Sequence, residues 1–462
     1  MRKFLKYSLI CGVIIAICWV GAVAFWRYQG ASPSNTELAL WLVALPLVLL
    51  AGLFLLIKRA NAKSKKKEAD ADGTAESQDD QASTNFSIHE MVLLAWNSVN
   101  RLSDNTTSTL AALPEAPGLD LDKELTDDSG FPIMTARVAD LDTQSLRDAL
   151  NLNANPTARS LDDHVLRATA LLQRACEPLL LQVHAFANQA QQEDWSKHLN
   201  IICYSPPDWP DEAVSYLHTE ISTWAHNNGL PDIQIHAAKL PEQDPLLQRF
   251  PMLGKESEAY AEIRGLTLIL SCASDLSRQA VSNLSIHGQL YTSMNPKGLP
   301  PGEGATAILA AHPQQADLQT GLQASVQLAS LCKHLFWPVA LPSQENDAPA
   351  IISADAAMPS LIKAVKVQNN DVSYMVIHNK LDKPSMNHAF GFIQRQFPDL
   401  DTETGLSLTG SSLGSLGGNA AWQLAALAAE KTQQSKQPSC FYTPEGQGMS
   451  LGMVVPLEIE SA

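Results

Sequence analysis

Gly410-Ser411-Ser412-Leu413-Gly414 has the form G-x-S-x-G, which places Ser412 where a nucleophile can be held on a sharp strand-to-helix turn. Such a serine needs an acid and a histidine, and in α/β-hydrolases both follow the serine in the chain. The last histidine here is His388, upstream of Ser412. The plainer reading is a glycine-rich turn that lets a helix start close against another backbone. His378, Asp382 and His388 carry metal-ligand chemistry, but a strand end, a loop and a helix provide no i, i+4 pair to fix their geometry, so no metal and no cofactor is expected. The seven cysteines are scattered without any C-x-x-C, which fits reduced thiols and no zinc knuckle. Cys203 falls in a β-rich run and Cys272 just past the end of one, and both read as small buried core residues.

Such groups must be positioned by elements, and the pattern is that of βαβ units. Strands are expected at Asn200–Tyr204, Asp232–His236, Leu266–Ser271 and Ala305–Ala310, with helices near Asp211–Asn228 and Pro245–Arg264. A second series has strands at Ala350–Ser353, Val372–Ile377 and Leu406–Leu408, and helices at Met358–Val367, Asn387–Gln396 and Gly418–Lys431. A hairpin of Cys440–Thr443 and Met449–Leu457 closes it. Leu161–Gln189 has apolar residues at helical spacing and predicts one long, buried helix. The two series suggest a duplicated half, about 86–315 and about 316–462.

Residues 7–26 and 38–57 are twenty-residue runs without a charged side chain, each long enough to span a bilayer. They predict a transmembrane hairpin within residues 1–60. Arg2, Lys3 and Lys6 precede it and six basic residues between Lys58 and Lys67 follow it, so both termini are expected to face the cytoplasm. Residues 61–85 form a charged linker, and from Glu68 to Thr84 it is too poor in apolar residues to order itself. Residues 1–67 hold ten Lys+Arg against one acid, a formal +9, which leaves −25 on residues 68–462 out of −16 overall. So acidic a body argues against binding nucleic acid and favours solubility or a basic partner.

Three segments taken together resemble the β-ketoacyl synthases and related thiolase-fold enzymes. YTSMNPKGLPPGEGATAIL, Tyr291–Leu309, resembles the stretch in which a turn leads into G-E-(A/G)-A and a buried strand. VSYMVIH, Val372–His378, looks like the strand that ends at the first catalytic histidine. LTGSSLGSLGGNAAWQLAALA, Leu408–Ala428, is similar to the K-S-x-x-G-H loop and its helix. The resemblance covers roughly residues 160–457. It implies an α/β fold of two βαβαβ halves in a five-layered sandwich, with Gly302, Glu303, Gly304, Gly414, Gly417 and Gly418 in structural turns. Glu303 is then expected to be held by neighbouring backbone N–H groups.

The family's chemistry uses a cysteine thiolate at a helix N-terminus and two His, or a His/Asn pair, that bind the thioester oxygen. The resemblance places the nucleophile near Gln248, and no cysteine lies between Cys203 and Cys272. Ser415 stands at the second histidine and Gly410 at the lysine five residues before it, so His378 alone matches a catalytic position. Glutamine replaces an acylated cysteine in some family members and still permits decarboxylation, which leaves Gln248 as a remnant-site residue beside His378 and Ser415.

These residues imply a catalytically degenerate, membrane-anchored adaptor or scaffold that binds another protein at the bacterial inner membrane, with its soluble domain cytoplasmic. Dimerisation through a strand beside the nucleophile helix is usual in the family. An accessory role in an envelope machine such as type VI secretion is one setting for it. The alternatives are an enzyme or acyl-binding regulator using the remnant cleft, or a serine hydrolase acting through the Gly410–Gly414 turn.

Overall fold

The computed structural model describes residues 86–152, 161–184, 199–230, 233–239, 266–311, 332–340, 353–379, 383–443 and 450–457. The expected membrane hairpin, the linker, Gln248, Asp382 and the helix expected at 245–264 lie outside the described residues. Among the described residues no helix is long and apolar enough to cross a membrane.

The chain order is β1 Phe86–Asn100, α1 Thr106–Ala112, β2 Asp120–Thr126, β3 Pro132–Thr135, α2 Thr143–Leu152, α3 Asp163–Cys176, β4 Leu199–Ser205, α4 Asp211–Asn227, β5 Ile233–Lys239, β6 Leu266–Ser274, α5 Arg278–Ile286 and β7 Glu303–Ala311. Then follow β8 Lys333–Ala340, α6 Ala354–Val365, β9 Tyr374–Ile377, α7 Lys383–Gln396, β10 Leu406–Leu408, α8 Ala420–Ser435, β11 Ser439–Thr443 and β12 Ser450–Pro456. Ten strands form one mixed sheet in the order β10-β9-β11-β12-β8-β1-β7-β6-β4-β5. From the centre outward each side repeats the other. β1 and β8 pair antiparallel at the middle, β7 and β12 are the antiparallel strands next to them, and β6-β4-β5 mirrors the parallel set β11-β9-β10.

Alternation along the strands divides the core into layers. Ala305, Ala307 and Leu309 of β7 and Leu266, Leu268 and Leu270 of β6 face one cluster with α3 and α4, whereas Ile308 and Ile269 face another. That second cluster also takes Val376, Phe441 and Val454 from the other half, and both halves close over α8. Met375, Cys440 and Met453 face outward onto α6 and α7. The result is helices, one half of the sheet, a central helix, the other half of the sheet and helices. Ala420–Ala429 are all buried, as an Ala-rich helix apolar on every side must be.

Several elements depart from the pattern reading. β1 and β8, the two strands at the sheet centre, were not anticipated, because His89, Glu90, Asn97, Lys333 and His334 interrupt their apolar runs. Ser353, read as a strand end, instead precedes α6 as its N-cap residue, and β8 opens the second half. The long helix read over 161–189 is α3, a 3-10 turn at Glu177–Leu179, where Pro178 cannot donate to an α-helical ladder, and further helix over 180–184; residues 185–189 lie outside the described residues. Glu303 and Gly304 are the first residues of β7, paired with Ser274 and Ala273, and so belong to the strand and not to a turn before it.

The small β2-β3 hairpin is organised by Asp122. Its carboxylate accepts from Arg137 Nε at 2.8 Å, from Thr135 Oγ1 at 2.8 Å and from the N–H groups of Glu124 and Leu125 at 2.9 and 3.0 Å. Burial pushes this acid up, but Arg137 and the N–H and O–H donors together outweigh burial and hold it below the usual carboxylate range. A depressed folded pKa means stability that is present above the unfolded carboxylate pKa and lost as pH falls through the folded one. Hydrogen-exchange protection across residues 120–135, taken relative to the intrinsic rate at each pH, is therefore expected to fall on acidification in the wild type. In Asp122→Asn that protection should already be low near neutral pH and show no such acid step.

Candidate functional site

β9 lies between β10 and β11 with all three parallel, so their C-terminal ends converge on one edge of the sheet. Crevices at the carboxyl ends of parallel strands are where α/β proteins place their sites. His378 and Asn379 follow β9 directly, and Thr409 follows β10. His378 is fully buried, its Nδ1 shares a 2.9 Å hydrogen bond with Thr409 Oγ1, and its N–H donates to Tyr442 O at 3.0 Å. Thr409 N–H donates in turn to Ile377 O at 2.9 Å. The imidazole is thus held by the end of β10, and the backbone of His378 by β11.

After Thr409 the chain makes a single helical turn, Gly410–Leu413, and reaches Gly414 at φ +63°. A Cβ at Gly410 would lie 1.8 Å from Asn379 O, so no side chain fits where the resembling family carries lysine. A Cβ at Gly414 would meet Ala136 Cβ and Pro300 O at 2.9 Å, and one at Gly302 would lie 2.5 Å from Ser415 O and 2.6 Å from Leu413 O. Ser415 N–H donates to Pro300 O at 2.7 Å. Residues 300–304 and 410–417 therefore interlock through backbone, and glycine is required by close approach as much as by φ. Gly417 has φ +48° and opens, with Gly418, a 3-10 turn into α8; Gly304 packs against Gln423 Oε1 and Val99 O.

Glu303 has a partner that sequence reasoning missed. It is fully buried, and its carboxylate accepts from Arg167 Nε at 2.8 Å, Arg167 Nη2 at 2.5 Å, Val138 N at 2.8 Å and Ser274 Oγ at 3.1 Å. Arg167 also donates to Leu141 O at 2.7 Å and Val138 O at 3.2 Å. Both charges are saturated by protein groups, which makes the pair structural. The available signal was Arg167 itself, an arginine four residues before Leu171 on the buried stripe of α3.

The rival chemistries separate spatially. Ser412 is buried; its backbone carbonyl accepts from Arg101 Nη1 at 3.1 Å, and among the described residues no histidine bonds to its hydroxyl. His388 meets Tyr442 OH at 3.1 Å, and no three metal-ligating residues converge among the described residues. Cys176, Cys203, Cys272 and Cys440 are fully buried, and burial pushes all four thiols up, Cys272 to about 12. Neither Cys203 in β4 nor Cys272 in β6 is at a helix start. Gln248 belongs to the segment joining β5 to β6.

No protein-family model and no curated protein matches the sequence. Solved structures do match in fold. A ketosynthase from module 6 of the bacillaene synthase of Bacillus subtilis 168 is 12% identical with a TM-score of 0.51, over 79% of this chain and 71% of that one. The ishigamide ketosynthase/chain length factor is 12% identical with a TM-score of 0.48, over 80% and 99%. An oxazolomycin ketosynthase domain from Streptomyces albus JA3453 is 14% identical with a TM-score of 0.45, over 80% and 75%. The first of these gives the described body a thiolase-like, ketosynthase-type α/β fold. Identities this low speak to the fold and leave the chemistry to the residues.

Proposed function

We propose that this chain uses a ketosynthase-type fold for binding another protein and not for condensation, as an adaptor or scaffold anchored at the inner face of a bacterial membrane through residues 7–57. One observation carries this reading. No thiol is present where the fold needs a nucleophile: the 240–265 segment between β5 and β6 contains no cysteine, and the cysteines flanking it are buried strand residues with raised pKa values. The second half supports it, since Ser415 contributes a backbone N–H to Pro300 where a histidine would act, and Gly410 has no room for a side chain. Losing one oxyanion donor costs about 2.7–4 kcal/mol in other enzymes, and here the nucleophile is missing as well.

The expected result is that the purified full chain neither releases CO2 from malonyl thioesters nor gains mass from acyl thioesters. A covalent acyl adduct on any residue, found by intact-mass spectrometry, would refute this reading. The buried His378, its ring bonded to Thr409, favours a second reading, a regulator that holds an acyl chain without turning it over. That reading requires the melting temperature to rise with long-chain acyl thioesters.

A further inference from the structure

Of the seven exposed large hydrophobic side chains among the described residues, three lie on the β2-β3 hairpin: Leu121 is 60% exposed, Phe131 67% and Met134 38%. Leu121 and Met134 are directly paired across the strands, so they share one face. The opposite face buries Leu125 and Ile133 against Leu276, Val281 and Leu290. Beside the turn, Ser285 donates its hydroxyl to Asp128, which ties the end of α5, where Ile286 is 74% exposed, to the hairpin turn. Unrelieved apolar surface on a rigid, internally bonded hairpin marks an interaction site.

Charge identifies the occupant. Residues 120–135 carry five acids, Asp120, Asp122, Glu124, Asp127 and Asp128, against Lys123. Asp122 is consumed by Arg137, whereas Asp120 and Glu124 keep only long ion pairs, 4.0 Å to Arg101 and 3.7 Å to Arg137, with side chains 96% and 79% exposed. Pairs of that kind neutralise little. We infer that the outer face of this hairpin docks a basic amphipathic helix of another protein, with Leu121 and Met134, and Phe131 at the turn, taking its apolar stripe and Glu124 and Asp128 at the rim steering its lysines and arginines. β2 is about 23 Å long at ~3.3 Å per residue, which matches about fifteen helical residues at 1.5 Å each.

This inference deepens the binding role proposed above and rests on it, yet it fails separately: an acyl adduct would remove the non-catalytic reading without touching the hairpin. The probe is a fluorescein-labelled fifteen-residue peptide with leucines on one helical face and lysines on the other, titrated by anisotropy into the full chain. Leu121→Ser/Phe131→Ser/Met134→Ser, which leaves charge and the buried face intact, should weaken binding at least tenfold. Leu181→Ser/Met294→Ser, exposed apolar positions elsewhere, should bind like wild type, and a glutamate version of the peptide should not bind. Equal binding by the hairpin variant and wild type overturns the proposal. So does a hairpin that ignores the peptide but supports a concentration-dependent dimer lost in the triple variant, since its occupant is then a second copy of this chain.

Discussion

Arg167→Met is expected to destabilise the body by about 3–5 kcal/mol, the usual cost of leaving one partner of a buried ion pair uncompensated. Glu303 would then remain in a site of zero solvent exposure with only Val138 N–H and Ser274 Oγ as donors, while Leu141 O and Val138 O would lose theirs. Methionine preserves most of the side-chain volume, so the loss reports charge and hydrogen bonding more than a cavity. The double variant Arg167→Met/Glu303→Leu should recover much of the deficit, because buried pairs replaced together by apolar residues are often neutral. Recovery stops short of complete, since Val138 N–H loses its acceptor, an unmet buried group worth about 1–3 kcal/mol. Denaturant midpoints at unchanged slope test this. A single variant as stable as wild type would show that the pair does not hold the β7 entrance to α3.

Gly410→Ala should be nearly as damaging for a different reason. The new Cβ would sit 1.8 Å from Asn379 O, a backbone atom immediately after His378. A rotamer change cannot relieve that clash, so the turn or the β9 end must move. The expected cost is about 3 kcal/mol or more, at the upper end for overpacking. The displacement should break the His378–Thr409 hydrogen bond, read as a shift of the His378 ring resonances. Gly118→Ala is the control, with no atom within 4 Å of the added Cβ and an expected change within about 0.5 kcal/mol. If Gly410→Ala behaves like the control, the loop is not packed on β9 as described.

Local patterns carried much of the architecture. β7 and β6 were legible because strands buried on both faces read as nearly continuous apolar runs, and α8 because an Ala-rich stretch after two glycines has few other ways to bury itself. The strand ending at His378 and the turn before α8 were found as motifs, and the structure puts the first next to the second through His378–Thr409. β1 and β8 escaped because polar residues interrupt both central strands, six of fifteen in β1 and two of eight in β8, and their burial depends on neighbours hundreds of residues away. The 15-residue β1 pairs with Ala305–Ala311 on one edge and Lys333–Ala340 on the other, which no local window can contain.

The sequence alone determined that no thiol lies between Cys203 and Cys272 and that residue 415 is a serine, whatever the fold. It also determined that Glu303 would be expensive to bury, since an isolated carboxylate in an apolar strand has to find a partner. Only the tertiary structure decided that the partner is Arg167, 136 residues earlier on another element. Only the structure decided that Gly302 and Gly410 are glycines because Ser415 O, Leu413 O and Asn379 O press against them. Periodicity and composition report whether a residue is buried; which group it meets there is set by how distant segments pack, and that depends on the whole chain at once.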